Sequence, residues 1–122
     1  MSLPTVQLAS QSPRRKMLLE ACALDVRILK QEGDESWPQL ASQTDVMEKL
    51  ARIKLEGAVD PESTLPLVVA DTAVWLDGKP LGKPTDEIDA QEMLSRLSGS
   101  CHHVLSSVGV AFQGRETIVV VD

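Results

Sequence analysis

Apolar runs and amphipathic stretches alternate along the first quarter of the chain. Residues 6–9 form a short apolar run that predicts a buried strand, and residues 25–29 predict a second one. Between them, Ser12 is a favoured N-cap and Pro13 falls at the first helical position, so a helix is predicted to begin there. Its apolar stripe consists of Met17, Leu18 and Ala21. The pattern is therefore strand, helix, strand.

A second amphipathic stretch predicts a helix that Thr44 or Asp45 caps, that runs to about residue 56 and that stops at Gly57. Its apolar stripe consists of Val46, Met47, Leu50, Ala51 and Ile53. Lys54 falls in the middle of this stripe. A lysine in that position either extends its amine to solvent or reaches a buried anionic partner, and the pattern alone allows both.

Residues 65–70 are continuously apolar, as expected of a strand that is covered on both faces. The run stops at Asp71 and Thr72. Ligands of open α/β sheets bind at the carboxyl ends of strands, so Asp71 is a candidate site residue. The alternative is a carboxylate that caps local backbone groups.

The second half of the chain predicts one more helix between two hairpins. The Asp77-Gly78 and Gln113-Gly114 pairs are typical of tight hairpin turns, the latter between strands at 103–112 and 117–121. Thr85 is predicted to cap the helix, and Ser98-Gly99 to end it. Its inward-facing residues are expected to be Ile88, Ala90, Leu94 and Leu97. Together the elements indicate one α/β domain with a mixed sheet flanked by helices.

Composition and charge narrow the classes of function. The chain has 122 residues, a net charge of −6, two Trp, one Phe and no Tyr. The acidic balance argues against a nucleic-acid polymer or a membrane surface as partner, and no apolar run reaches membrane-spanning length. Cys22 and Cys101 lack metal-site or redox-motif spacing, so they are expected to be reduced, buried and structural, as in a cytoplasmic protein.

Charged residues at predicted loop ends suggest a ligand. Arg14 and Arg15 lie in the first turn of a helix, where the dipole disfavours cations, so they either bind a polyanion or are solvated or paired with carboxylates. The full set of candidates is Arg14, Arg15, Lys54 and Lys83, with Glu35 and Asp71 as carboxylates. Such a set suits a nucleotide polyphosphate with a divalent metal ion.

Several of these residues lie in motifs that resemble those of a known family. Leu8-Ala9-Ser10-Gln11-Ser12-Pro13-Arg14-Arg15 resembles the opening motif of the Maf family of nucleoside triphosphate pyrophosphatases, also known as septum-formation inhibitor proteins. The similarity continues, in the family's order, through Asp34-Glu35, Leu50-Ala51-Arg52-Ile53-Lys54, Ala70-Asp71-Thr72, Gly82-Lys83-Pro84 and Leu97-Ser98-Gly99 with His102.

The resemblance implies a fold, a reaction and roles for individual residues. The fold would be a mixed twisted sheet like that of inosine-triphosphate pyrophosphatases, with the site in a cleft. The enzyme would clear unwanted nucleotides by releasing monophosphate and pyrophosphate with Mg²⁺ or Mn²⁺. Asp71 would be the general base or would orient the water, and Asp71 and Glu35 would hold the metal. The substrate-binding residues would be Ser10, Ser12, Arg14, Arg15, Lys54, Thr72 and Lys83.

The same resemblance bears on substrate, location and completeness. Arg14 and Thr72 match the branch that acts on dTTP, UTP and related pyrimidine nucleotides, and the location would be the cytoplasm. Family members continue beyond the position of Asp122, so residues 1–122 are expected to be a domain that is incomplete at its C-terminus. Its last apolar strand would then be exposed at a sheet edge, and the chain would either self-associate through this strand or be the ordered part of a longer polypeptide. The alternative function is a nucleotide-binding regulator of septum formation without turnover.

Overall fold

A computed structural model describes residues 3–10, 12–29, 42–58, 63–82 and 84–122 of the chain. Six strands and three helices lie in these ranges. In chain order they are β1 (Thr5–Ala9), α1 (Pro13–Ala21), β2 (Asp25–Ile28), α2 (Gln43–Ala58), β3 (Leu67–Leu76), β4 (Lys79–Leu81), α3 (Glu87–Leu97), β5 (His103–Phe112) and β6 (Arg115–Val121). The predicted mixed α/β sheet is confirmed.

The strands form one sheet in the order β2-β1-β3-β5-β6, and β4 pairs with the far end of β3. β1 runs parallel to both of its neighbours, β2 and β3, whereas β3, β5 and β6 are successively antiparallel. The β1-α1-β2 and β2-α2-β3 connections run in opposite directions along the sheet. Right-handed crossovers therefore place α1 and α2 on opposite faces.

The helix α2 covers one face of β3 and β5, which we call the covered face. Two apolar clusters fill this layer. One contains Ala51, Leu55, Leu67, Val69 and Ala111, and the other contains Met47, Leu50, Ala73, Trp75 and Leu105. In the register of β3 and β5, the pair Asp71 and Ser107 falls between these clusters. A single polar row therefore crosses an otherwise apolar interface.

Gly109 lets α2 approach the sheet closely. A Cβ atom built on Gly109 would lie 2.9 Å from Leu55 Cδ1 and 3.0 Å from Val69 Cγ2, closer than carbon atoms pack. The missing side chain therefore allows Leu55 of α2 to pack directly against β5.

The hairpins agree with the sequence. Asp77 and Gly78 have φ of 52° and 76°, and Gln113 and Gly114 have φ of 51° and 77°. Each pair is the two-residue connection between antiparallel strands, and positive φ at both central residues is what such a turn requires. Both hairpin predictions are confirmed.

The prediction that a strand ends before Asp71 is wrong. β3 continues to Leu76, because β5 pairs with it antiparallel from Leu67 to Trp75 and supplies partners along its whole length. Asp71 therefore lies within a strand. The polar pair Asp71 and Thr72 interrupts the apolar run without interrupting the ladder.

The start of α1 agrees with the prediction, and the starts of α2 and α3 differ from it by one to three positions. Ser12 caps α1 as predicted. For α2, Ser42 Oγ accepts the backbone N–H of Asp45 at 3.1 Å, so Ser42 takes the position expected of Thr44 or Asp45. For α3, Asp86 Oδ1 accepts the N–H of Asp89 at 2.7 Å, so Asp86 replaces Thr85 as the cap.

Two of the helices bury less than their patterns suggest. No residue of α1 or α3 is buried within the part of the chain that the structure describes. Ile88 and Leu94 of α3 are 70% and 66% exposed, so their predicted inward position is wrong. Periodicity shows which helix face is apolar but not whether another element packs on it. The predicted burial of Cys22 and Cys101 is also wrong, because both are exposed free thiols.

The strand β6 lies at the edge of the sheet. It pairs with β5 on one side, and no strand in the described ranges pairs with its other side. Val119 and Val121 of β6 are 53% and 59% exposed. The predicted apolar edge strand is therefore present.

Candidate functional site

A break in strand pairing creates the site. β1 ends at Ala9, opposite Val69, and β4 pairs with β3 only from Val74 onward. Between these points, residues 70–73 of β3 have no strand on that side within the described ranges; we call this the β3 gap. Its backbone groups are consequently available to side chains from the two crossover helices.

Cations from both helices reach the same backbone carbonyl in the β3 gap. Arg15 of α1 donates from Nη1 to the carbonyl oxygen of Ala70 at 3.3 Å. Lys54 of α2 donates from Nζ to the same oxygen at 3.4 Å. Because α1 and α2 lie on opposite faces of the sheet, the two positive charges converge on the gap from both sides.

On the covered face, Lys54 also forms an ion pair with Asp71. Lys54 Nζ lies 3.0 Å from Asp71 Oδ2, and the two side chains are 19% and 26% exposed. Asp71 Oδ1 accepts the backbone N–H of Thr72 at 3.0 Å. Of the two possibilities for Lys54, the anionic partner is the one that the structure shows.

On the opposite face, hydroxyl groups orient Arg15. Arg15 Nη1 donates to Ser10 Oγ at 3.0 Å, and Nη2 donates to Thr72 Oγ1 at 3.2 Å. Thr72 Oγ1 also lies 3.0 Å from Ser106 Oγ. Among the described residues, the guanidinium is therefore held by uncharged acceptors, and none of these contacts neutralises its positive charge.

The turn between β1 and α1 depends on the predicted serines. Ser10 is buried, at 2% exposure, and its Oγ accepts the backbone N–H of Ser12 at 3.2 Å. Ser12 Oγ in turn accepts the N–H of Arg15 at 3.4 Å. Arg14 is exposed. The serines shape the helix start that carries both arginines, with Arg14 accessible and Arg15 anchored.

Six of the residues that the sequence singled out thus belong to one region around the β3 gap: Ser10, Ser12, Arg15, Lys54, Asp71 and Thr72. Glu35 and Lys83 lie outside the described residues. Sequence reasoning missed Ser106 and Ser107. The only sequence signal for these two serines is their place in the alternation of side chains between the two faces of β5. That signal points to the site only together with the strand register, which places Ser106 opposite Thr72 and Ser107 opposite Asp71.

One mode of divalent-ion binding fits the described residues of the site. The described residues contain no group of three His, Cys, Asp or Glu side chains that could hold a metal. Mg²⁺ is commonly bound by one or two carboxylates together with the phosphate oxygens of a substrate. Asp71, whose Oδ2 lies 3.0 Å from Lys54 Nζ, is a carboxylate that fits that mode.

The comparisons with known proteins agree with the motif resemblance. Residues 5–122 match the family model described as Maf-like protein. A dTTP/UTP pyrophosphatase of Halalkalibacterium halodurans is 39% identical over 113 residues, which are 92% of this chain and 60% of that protein. Proteins of the same description from Akkermansia muciniphila and Pseudoalteromonas translucida are 40% and 41% identical, over 88% and 87% of this chain and 57% of each relative.

The matched region is therefore only part of each relative. The chain spans 57–60% of the length of these three proteins. No helix in the described ranges is long and apolar enough to cross a membrane.

Proposed function

Because the chain belongs to the Maf-like protein family, we propose that it acts as a nucleoside triphosphate pyrophosphatase. Its substrates would be dTTP, UTP and modified pyrimidine analogues, and its products the monophosphate and pyrophosphate. The observation that carries the proposal is the convergence of Arg15 and Lys54 on the β3 gap beside Asp71. Three similar proteins described as dTTP/UTP pyrophosphatases support the substrate class.

The proposed reaction is attack of water on the α-phosphorus. The water oxygen forms a bond to phosphorus, the bond from phosphorus to the α–β bridging oxygen breaks, and pyrophosphate leaves. Asp71 orients the water and accepts its proton, which requires the carboxylate to be ionised. Arg14, Arg15 and Lys54 stabilise the negative charge that develops on the phosphate oxygens. Ser10, Ser12, Thr72 and Lys83 complete the proposed substrate contacts.

A divalent cation, Mg²⁺ or Mn²⁺, belongs to the proposal. Asp71 and Glu35 would hold it together with the phosphate oxygens, and it would neutralise charge on the leaving pyrophosphate. Asp71 supports this role through its position in the β3 gap; Glu35 rests on the motif alone. We place the protein in the cytoplasm, where nucleoside triphosphates are abundant, and expect no nucleic-acid polymer as partner.

A homodimer through β6 is also proposed. The free edge of β6 and its exposed Val119 and Val121 support it, because an unpaired apolar edge strand pairs readily with another chain. Static light scattering should give twice the monomer mass for the 122-residue chain. Val119→Lys should return the monomer, since a charge on an edge strand opposes pairing. A monomeric starting protein would contradict this proposal and leave the catalytic one intact.

Product analysis tests the function directly. The 122-residue chain is incubated with dTTP, UTP, ATP or GTP, each with Mg²⁺ or Mn²⁺, and pyrophosphate and monophosphate are quantified. We expect equal amounts of both products from dTTP and UTP, with little from the purines. Release of inorganic phosphate alone would contradict cleavage at the α–β bond. A thermal shift with dTTP but no product would instead indicate a binding module without turnover.

A further inference from the structure

Ser107 has a hydroxyl that the structure leaves without a hydrogen bond. Its side chain is fully buried, and its Oγ has no hydrogen-bond partner within the described ranges. Burying a hydroxyl without a partner is unfavourable, and an alanine of nearly the same size would avoid the penalty. The position of Ser107 therefore needs an explanation beyond packing.

Ser107 lies directly opposite Asp71 in the β3–β5 ladder. Directly opposed residues of antiparallel strands point to the same face, and their Cβ atoms lie about 4.5–5.5 Å apart. Both side chains are therefore on the covered face, in the polar row between the two apolar clusters. A rotation about one side-chain bond of Ser107 redirects its hydroxyl without any movement of the backbone.

Both carboxylate oxygens of Asp71 already have partners in this state. Lys54 holds Oδ2, and the backbone N–H of Thr72 holds Oδ1. If Lys54 turns toward a substrate phosphate, Oδ2 loses the one charged partner that it has among the described residues. Ser107 lies opposite Asp71 in the ladder, and its buried hydroxyl, which has no partner among the described residues, is then available as a donor.

We infer that Ser107 is a positioning residue that donates a hydrogen bond to Asp71 when Lys54 leaves it for the substrate. The hydroxyl holds the carboxylate in the orientation needed to direct the attacking water, without the charge compensation that Lys54 imposes. This role rests on the proposed function, because it assumes that Lys54 moves to phosphate.

A double-mutant cycle tests the exchange without any nucleotide. In the wild-type background, Ser107→Ala should leave the melting temperature unchanged or raise it, since the lost hydroxyl had no partner. In a Lys54→Met background, the same change should lower the melting temperature, because the hydroxyl has become a partner of Asp71. The same sign in both backgrounds would overturn the inference. Lys54→Ala provides a second background if Lys54→Met does not fold.

Kinetics provide the second readout. Ser107→Ala should lower kcat about tenfold, the effect of losing one hydrogen bond to a charged group, and change KM less than about twofold. Ser107→Thr, which keeps the hydroxyl, should recover most of kcat. The matched control is Val120→Ala, because Val120 pairs with Ser107 on β6 and is packed in the same layer.

The outcomes separate the two proposals. If Val120→Ala lowers kcat as much as Ser107→Ala, or if Ser107→Thr recovers nothing, Ser107 acts through packing and the inference fails. If the wild-type chain releases no pyrophosphate, the proposed function fails, and the nucleotide-free cycle still decides whether Ser107 replaces Lys54 at Asp71.

Discussion

The two faces of the β3–β5–β6 part of the sheet differ sharply in what covers them. On the covered face, α2 packs onto the sheet through residues such as Met47, Ala51 and Leu55, all of them fully buried. On the opposite face, Val108 and Val119, which are paired across the strands, are 42% and 53% exposed. Two adjacent site residues lie on different faces: Asp71 points to the covered face and Thr72 to the open one. Removing the same kind of contact should therefore change the free energy of unfolding or the turnover by different amounts on the two faces.

Deleting apolar atoms should show the largest contrast. Leu55→Ala on the covered face should lower the free energy of unfolding by about 2–5 kcal/mol, the range for a fully buried leucine. Val119→Ala on the open face should change it by less than about 0.5 kcal/mol. Urea unfolding of both variants measures the difference. A large loss for Val119→Ala would mean that the open face is covered in solution, as the proposed dimer could do.

Site substitutions on adjacent residues should show the next contrast. Asp71→Asn should keep the fold and reduce turnover by at least roughly a hundredfold, the scale expected for a lost general base. Thr72→Val should reduce turnover by less than about tenfold, since it removes hydrogen bonds from an exposed hydroxyl. Pyrophosphate release measures both. Near-normal turnover in folded Asp71→Asn would rule out its catalytic role.

Adding one methyl group to Gly109 tests how closely α2 must sit. Gly109→Ala should lower the free energy of unfolding by about 1–3 kcal/mol, because the new Cβ would overlap Leu55 and Val69. Gly82→Ala is the matched control, since a Cβ there meets no atom of the described residues within 4 Å. Thermal unfolding compares the two. Equal melting temperatures would show that α2 shifts at no cost.

The smallest stability effects should come from the two cations. Lys54→Met should lower the free energy of unfolding by about 1 kcal/mol, because the ion pair that it breaks is only partly exposed. Arg15→Met should lower it by less, since its partners are uncharged and its bond to Thr72 is exposed. Both should weaken binding of a non-hydrolysable dTTP analogue in calorimetry. Unchanged affinity for either variant would remove that residue from the phosphate site.

Local patterns predicted most of the elements and several site residues. Hairpins at Gly78 and Gly114, the cap at Ser12 and the unusual position of Lys54 all follow from turn chemistry or periodicity, which act over a few residues. What depends on pairing partners could not be predicted. The continuation of β3 past Asp71 requires the antiparallel partner β5, and no pattern within β3 reveals it.

The effect of a substitution on stability also depends on contact partners that local patterns do not reveal. In an apolar stripe, removal of the Lys54 charge would be expected to be neutral or stabilising. In the structure, removal of the Lys54 charge is instead expected to lower the free energy of unfolding, because Asp71 would lose its charged partner. Likewise, the apolar positions of α3 are periodic, yet Ile88 and Leu94 are exposed. A sequence shows which face of a helix is apolar, but contacts decide what that face contributes.

The early end of β1 has a consequence for the entropy of binding. Because no strand in the described ranges pairs with Ala70 on the β1 side, its carbonyl restrains two long side chains, Arg15 and Lys54, before any ligand arrives. Immobilising such a side chain costs up to about 2 kcal/mol of rotamer entropy. In this chain that ordering takes place during folding. An incoming triphosphate would therefore exchange one set of acceptors for another, with little further loss of side-chain freedom.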